Sequence, residues 1–152
     1  MAIFIIIIGL LGVLALISTS ISSGASSTSR LIAANLAQEG IEVVKNLRDL
    51  SYETDGTWDN WHVNIPGGGS PYIFSVQYNS SDYSEQKQDE FLLIDSSGLY
   101  SYDSGVPTPF KREISLTKNS DQDVKVVSKV TWSEKGRPDQ SIIVEDILWN
   151  WR

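Results

Sequence analysis

Charge is absent from the start of this chain. The first 29 residues contain no charged side chain, and the first 17, MAIFIIIIGLLGVLALI, contain no polar side chain either. All 12 basic and 19 acidic side chains therefore lie from Arg30 onward. As a helix, residues 1–17 would span about 26 Å, slightly less than the roughly 30 Å hydrocarbon core of a bilayer. The segment predicts a helix that must be covered by lipid or by protein.

Three roles compete for this apolar helix. A cleaved signal peptide normally begins with basic residues, and none occurs here. An ordinary membrane anchor is usually flanked by Lys and Arg, yet the nearest such residue is Arg30. The pattern favours a helix that ends up inside a protein assembly, and a membrane anchor remains open.

A segment rich in hydroxyl side chains follows. Residues 18–29 hold nine Ser or Thr in twelve positions, together with Gly24. Such residues compete for backbone hydrogen bonds or loosen a helix. We therefore expect a helix-loosening joint formed by Ser18, Ser20, Ser22, Ser23 and Gly24.

Residues 30–50 have the periodicity of an amphipathic helix. Apolar or small residues recur every three or four positions at Ala33, Leu36, Gly40, Val43, Leu47 and Leu50. Another face carries Gln38, Glu42, Lys45 and Asp49. The expected helix-to-head packing residues are Leu36, Gly40, Val43, Val44 and Leu47. A helix of 50 residues would be about 75 Å long, too long for one small domain to bury. We thus expect domain 1–50 to be the helix, with 1–29 projecting and 30–50 docked on a head formed by 51–152.

The predicted head is acidic and lacks recognisable catalytic chemistry. Residues 30–50 carry balanced charges, so the net charge of −7 falls on residues 51–152. Direct nucleic-acid binding is not predicted, because such a head repels phosphates. The chain has no cysteine, and His62 is its only histidine, without a nucleophile motif nearby. A calcium site at Asp121 and Asp123 lacks the Gly and Glu of an EF-hand, so a solvated turn is favoured. We predict no catalytic site, no metal and no cofactor.

Alternating apolar residues predict an antiparallel sheet in the head. The clearest alternation lies in residues 110–116 and 124–132, and residues 141–151 return as a third strand of a meander. Shorter strands or packed loops are expected at 58–65 and 72–78, with a hairpin turn at Ser96, Ser97 and Gly98. The aromatic residues Trp58, Trp61, Trp149 and Trp151 are expected in the core or at subunit contacts, with glycan stacking as an alternative. The predicted class is α+β, with the amphipathic helix packed across the sheet.

These features together resemble the type IV pilin family. The resemblance rests on MAIFIIIIGLLGVLALI leading into LIAANLAQEGIEVVKNLRD. It is greatest to pilins of the candidate phyla radiation bacteria, in which a similar LAQEGIEVV segment precedes stretches similar to DSSGLYSYDSG, TPFKREISLT, KVTWSEKGR and LWNWR. Each stretch is short, and together they cover much of the chain.

The resemblance implies a structural subunit of an extracellular filament on the cell surface. Such subunits wait in the cytoplasmic membrane until the type IV pilus assembly machinery inserts them into a helical homo-oligomer, which supports adhesion, motility or DNA uptake. Their apolar helices bundle at the filament axis, and close approach there is compatible with Gly9 and Gly12. The filament-core packing residues implied for this chain are Phe4, Ile5, Ile6, Ile7, Ile8, Leu10, Leu11, Leu14 and Leu16.

One position departs from the family. Mature pilins carry a Glu at their fifth residue, whereas residue 5 here is Ile and the first acidic residue is Glu39. We expect that the sequence begins inside the mature helix, and we assign no processing or methylation role to any position. Two alternatives stay open. One is a pseudopilin of a type II secretion system, which shares the fold, and the other is a single-pass membrane-anchored module whose aromatic head binds glycan.

Overall fold

The computed structural model describes residues 2–55, 65, 69–82, 89–134, 136 and 138–150, without the side chains at positions 5, 54 and 55. His62 and all but Ile65 of the strand expected at 58–65 lie outside the described residues, as do Trp58, Trp61 and Trp151. Ile65 itself is buried. By its internal contacts the chain divides into two compact units, Met1–Ile32 and Ala33–Arg152.

One long helix, α1 (Ala2–Asp55), begins the fold. It continues five residues past the expected end at Leu50, and Gly56, the residue type most common just beyond helix ends, follows in the sequence. Leu50 is half exposed, although its spacing had placed it on the packing face.

Seven strands follow the helix. They are β1 (Tyr72–Phe74), β2 (Leu93–Ile94), β3 (Tyr100–Ser101), β4 (Val106–Pro107), β5 (Phe110–Lys118), β6 (Asp123–Trp132) and β7 (Gln140–Trp149). A four-stranded sheet has the order β1-β5-β6-β7, and a three-stranded sheet has the order β3-β2-β4. Every pairing is antiparallel. The α+β layout predicted from the sequence is therefore confirmed.

The three long strands form the predicted meander. Phe110 pairs with Trp132 at one end of the β5–β6 ladder, and Asp123 pairs with Trp149 at the opposite end of the β6–β7 ladder. Strand β1 adds a fourth strand on β5, with Phe74 opposite Ile114. Of the segment expected at 72–78, only these three residues are strand.

The predicted hairpin turn lies between β2 and β3. The Asp95 carboxylate accepts hydrogen bonds from the main-chain N–H groups of Ser97 at 2.7 Å and Leu99 at 3.0 Å, and Gly98 has φ of 83°. This Asx-type turn needs a residue that tolerates positive φ, which Gly does. The N–H of Leu92 donates to the Phe110 carbonyl at 2.8 Å, so the small sheet joins the large one beside the start of β5.

The core lies between the later part of α1 and the inner face of the large sheet. Alternation along β5 and β6 buries one side of each strand, as expected for a half-covered antiparallel sheet. The core cluster contains Ile41, Val43, Val44, Leu47, Tyr52, Ile65, Phe74, Val76, Ile114, Leu116, Val124, Val126 and Leu148. The α1 residues of this cluster, from Ile41 to Tyr52, therefore share one core with strands β1, β5, β6 and β7.

Candidate assembly surface

The first part of α1 exposes a broad apolar surface. The side chains expected in a filament core are between half and three-quarters exposed at Phe4, Ile6, Ile7, Ile8, Leu10, Leu11, Leu14 and Leu16. Four further side chains that were not expected in a filament core are equally exposed, namely Ile3, Val13, Ile17 and Ile21. The Ile5 side chain is not among those that the structure describes. We call the apolar surface of residues 3–21 the helix patch.

The helix patch surrounds the helix on every side. Successive residues of an α-helix point about 100° apart, so the run Ile6, Ile7 and Ile8 faces three directions. A helix that is apolar all round is normally buried all round. By length and composition alone, α1 could cross a membrane, and both an anchor and a signal sequence would meet that criterion. The arrangement can enter lipid or a bundle of like helices.

Two glycines interrupt the helix patch. A Cβ built on Gly9 or Gly12 would meet no atom within 4 Å in this chain. A glycine in a helix interior is less favourable than alanine by about 1 kcal/mol. The expected close approach of a neighbouring helix there stays a prediction.

The Ser-rich segment is continuous helix in this chain. Three hydroxyls donate to the carbonyl four residues earlier, those of Thr19 to Ala15 at 3.0 Å, Ser27 to Ser23 at 3.0 Å and Thr28 to Gly24 at 3.2 Å. Such bonds compete with the helical ladder and slightly destabilise it. The joint residues are all exposed, namely Ser18, Ser20, Ser22, Ser23 and Gly24. Loosening of this joint within a filament stays a prediction.

Gly40 lies where α1 closely approaches the sheet. A Cβ at this position would lie 2.7 Å from Ile114 Cδ1, 2.7 Å from Ser128 Oγ and 3.2 Å from Arg112 Cδ. Contacts below 3.0 Å are essentially never made by real Cβ atoms. The other expected helix-to-head residues are also buried, namely Leu36, Val43, Val44 and Leu47. Only glycine lets the helix lie this close.

A buried arginine joins the helix to the sheet. The Arg112 side chain is completely inaccessible, and its Nη1 donates to the Leu36 carbonyl and to Glu39 Oε1, both at 3.0 Å. Its Nη2 donates to the Val76 carbonyl at 2.5 Å. A buried charge is tolerated when it is paired and hydrogen-bonded. Arg112 thus ties α1, β5 and the segment after β1 together.

Sequence reasoning missed this residue, although its position contained the necessary information. Arg112 lies between Phe110 and Ile114, so it shares their parity and must face inward. A charged residue on the buried parity of a strand predicts a buried ion pair, and Glu39, the first acidic residue, is the partner it finds.

A second polar network fixes the small sheet. The Tyr102 hydroxyl donates to the Arg112 carbonyl at 3.1 Å, and burial raises the pKa of this phenol above its ordinary value. The Tyr102 N–H donates to Gln77 Oε1 at 2.8 Å, while Gln77 Nε2 donates to Asp103 Oδ2 at 2.7 Å. Tyr102 and Gln77 therefore have structural roles, and their hydrogen bonds keep the segment after β1 in place.

An ion pair links α1 to strand β7 at the sheet edge. Lys45 Nζ lies 3.0 Å from Asp146 Oδ2 and 3.1 Å from Glu42 Oε1. The hydrogen bond from Lys45 lowers the pKa of Asp146 below its ordinary value, against an opposing effect of burial. Because the Asp146 side chain is 41% exposed, solvent screens much of this pair.

The acidic turn between β5 and β6 is occupied by internal contacts. Lys118 pairs with Asp121 at 2.8 Å, and Asp123 accepts hydrogen bonds from Ser120 and Asn119, which lower its pKa. Within the part of the chain that the structure describes, no group of three or more His, Cys, Asp or Glu side chains is arranged to hold a metal ion. The turn is consistent with the solvated loop that the sequence favoured.

Comparison with protein-family models, with curated proteins and with solved structures finds no match to this chain. The arrangement itself defines a class, that of an antiparallel α+β protein with a long N-terminal helix whose first part is apolar and exposed.

Proposed function

We propose that this chain is the structural subunit of a type IV pilus, a helical filament of identical subunits on the cell surface. The observation that carries the proposal is the exposed helix patch, on a helix whose later residues pack against a sheet. Burying apolar surface is favourable by about 25 cal/mol per Å². In this proposal the cytoplasmic membrane covers the helix patch first, and neighbouring copies cover it after assembly.

The distribution of the helix patch favours a filament over a closed dimer. A dimer of helices would leave the far sides of Ile6, Ile7 and Ile8 in water, whereas a central bundle surrounds each helix. Contacts between different faces of successive copies are heterologous, and such contacts form open helical polymers when the rotation does not close. The sheet-bearing unit would then form the filament surface.

Adhesion, motility and DNA uptake would be properties of the assembled filament. We propose no enzymatic role for the subunit, whose partners would be copies of itself, the membrane and the pilus assembly machinery. The acidic charge of −7 gives the subunit no general attraction for nucleic acid.

A second candidate is a single-pass anchored module, and the membrane-length apolar helix favours it as strongly. The two proposals differ in oligomeric state. An anchored module would be monodisperse in mild detergent and would bind its glycan after the helix is deleted. A pseudopilin of a secretion system would polymerise into short assemblies, so filament length on intact cells separates it from a pilus subunit.

The test is Leu14→Arg, within the helix patch. At the centre of a membrane helix, this change costs about 3–4 kcal/mol on insertion scales, and a filament core holds no more water than lipid does. We expect surface filaments to disappear while circular dichroism of the detergent-solubilised chain still shows the folded sheet. Asn35→Arg adds the same charge to an exposed polar position of α1 and should leave filaments in place.

Two measurements make the outcome unambiguous. The membrane-bound fraction of each variant distinguishes failed insertion from failed polymerisation. Abundant filaments built from the Leu14→Arg chain would contradict the proposal, since an unpaired charge cannot be tolerated in a packed apolar bundle.

A further inference from the structure

One long side of the four-stranded sheet is open. Strand β7 ends the order β1-β5-β6-β7 and is ten residues long, whereas the opposite edge strand, β1, has three residues. Of the described strands, none pairs with the outer side of β7. Both of its faces are apolar, with Ile142 and Val144 on the inner face and Ile143 and Ile147 exposed on the outer face. A long apolar edge strand is a template for pairing with a strand of another chain.

A hydrogen bond at the end of β7 shows which backbone groups face the open side. The N–H of Asn150 donates to the Gln122 carbonyl at 2.8 Å, one step beyond the end of the β6–β7 register. In an antiparallel ladder, hydrogen-bonded pairs alternate with pairs that are not hydrogen-bonded. The even-numbered residues of β7 therefore bond to β6. The odd-numbered residues, among them Ile143 and Ile147, direct their N–H and C=O groups to the open side.

A side chain of the same strand occupies one of these outward groups. The N–H of Ile147 donates to Asp146 Oδ1 at 2.8 Å, and Asp146 Oδ2 lies 3.0 Å from Lys45 Nζ on α1. The hydrogen bond from Lys45 lowers the pKa of Asp146, so this group is a carboxylate at neutral pH. A carboxylate accepts hydrogen bonds and donates none. An approaching strand thus meets an N–H that is already bonded and a side chain that offers no donor.

Asp146 is also the charged member of an otherwise apolar face. It shares its parity with Ile142, Val144 and Leu148, which turn toward the core. Its side chain is 41% exposed beside the open edge. A strand added here would remove the carboxylate from water, and burial of a charge is costly. Natural sheet proteins use inward-pointing charges on edge strands against edge-to-edge pairing.

We propose that Asp146 protects the open edge of the sheet from pairing with the β7 strand of a second copy. The carboxylate occupies the N–H of Ile147 and repels the carbonyl oxygens of an approaching strand, while Lys45 stabilises its charge within the single copy. Such protection matters where copies are concentrated, because pairing between β7 strands would compete with other contacts. The inference concerns the sheet edge alone and does not depend on the pilus function.

The variant Asp146→Val tests the protection. It replaces the carboxylate by a β-branched side chain that is favoured in strands. Size-exclusion chromatography with light scattering, on the full chain in mild detergent, gives the protein mass at several concentrations. We expect the mass of the variant to rise above that of the parent chain at the same concentration. Equal masses at every concentration would overturn the proposal.

The matched control is Lys45→Met. Both variants lose the ion pair between α1 and β7, but only Asp146→Val loses the carboxylate at the edge. Lys45→Met should therefore keep the mass of the parent chain. If it associates as strongly as Asp146→Val, loss of the ion pair is the cause of association, and the proposed protection fails.

A second substitution tests whether the backbone makes the new contact. Ile143→Pro removes an outward N–H, and proline is tolerated on an edge strand where the N–H faces solvent. Added to Asp146→Val, it should restore the mass of the parent chain, with circular dichroism showing that the sheet is still folded. Association that persists in the folded double variant would show a contact between side chains and would overturn strand pairing.

Hydrogen exchange tests the same hydrogen bond without any substitution. The amides of Glu145 and Ile147 both face the open side, and Ile147 donates to Asp146. After correction for intrinsic rates, nuclear magnetic resonance of the detergent-solubilised chain should show slower exchange at Ile147 than at Glu145. Equal rates would overturn the proposal. None of these measurements requires filaments, so their outcome and that of the pilus test are independent.

Discussion

Replacing Gly40 by alanine should destabilise the sheet-bearing unit, although alanine is the better helix former. Alanine is favoured over glycine in a helix interior by about 1 kcal/mol. The new methyl carbon, however, would lie 2.7 Å from both Ile114 Cδ1 and Ser128 Oγ. Carbon contacts are most favourable at about 3.5–4.0 Å, so each neighbour must retreat by roughly 1 Å.

The packing around these neighbours sets the magnitude. Ile114 and Ser128 have no exposed surface, so neither can move into solvent. Overpacking a well-filled core typically costs about 1–3 kcal/mol. Two close contacts and a third at 3.2 Å to Arg112 favour the upper part of that range. After subtraction of the helix-propensity gain, we expect a net loss of about 1–2 kcal/mol and a melting temperature lower by about 4–8 °C.

Thermal unfolding of the full chain in mild detergent, followed by the β-sheet signal in circular dichroism, measures this effect. Asn46→Ala changes an exposed position of the same helix and should be neutral or slightly stabilising. A Gly40→Ala variant that melts at or above the parent temperature would refute the close approach of helix and sheet.

A double variant checks that the clash is the cause. Ser128 Oγ is one of the two atoms at 2.7 Å, and it has no hydrogen-bond partner among the described residues. Ser128→Ala should therefore cost little alone and should recover part of the stability lost in Gly40→Ala. Strictly additive effects would contradict this explanation.

Two further predictions concern the sheets and the helix–sheet ion pair. Gly105 has φ of 142°, and a Cβ there would lie 2.4 Å from the Ile94 carbonyl oxygen. Because backbone atoms cannot move aside as a side chain can, Gly105→Ala should destabilise the chain more than Gly40→Ala. The melting temperatures of the two variants measure this difference. The lowered pKa of Asp146 implies that its ion pair with Lys45 stabilises the fold above the ordinary carboxyl range and loses this effect as pH falls through the lowered pKa. Asp146→Asn should therefore lower stability at neutral pH and have no effect at a pH well below that pKa, and an equal loss at both pH values would contradict the assignment.

Local sequence patterns predicted the larger elements of this fold. The uncharged N-terminal run predicted the exposed part of α1, and alternation in β5 and β6 predicted two strands of the meander. Such patterns carry no information about pairing between distant segments, so the position of β1 beside β5 did not follow from them. The apolar periodicity also could not locate the end of α1 at Asp55. Its last member, Leu50, is half exposed, and the helix continues beyond it.

The exposed apolar surfaces were predictable to different degrees. The helix patch follows directly from composition, which needs no tertiary information. In β7 both parities are apolar, since Ile142 and Val144 alternate with Ile143 and Ile147, so the sequence could not show which set stays exposed. Only the position of α1 over one face of the sheet determines that outcome.

Electron cryomicroscopy of filaments sheared from the cell surface tests the central claim most directly. The account predicts a helical polymer of this chain, with residues 3–21 of every copy packed together at the axis and the sheets outside. The same map would show whether residues 18–29 remain helical in the polymer. Filaments whose axis contains another protein, or density that places residues 3–21 on the filament exterior, would contradict the account.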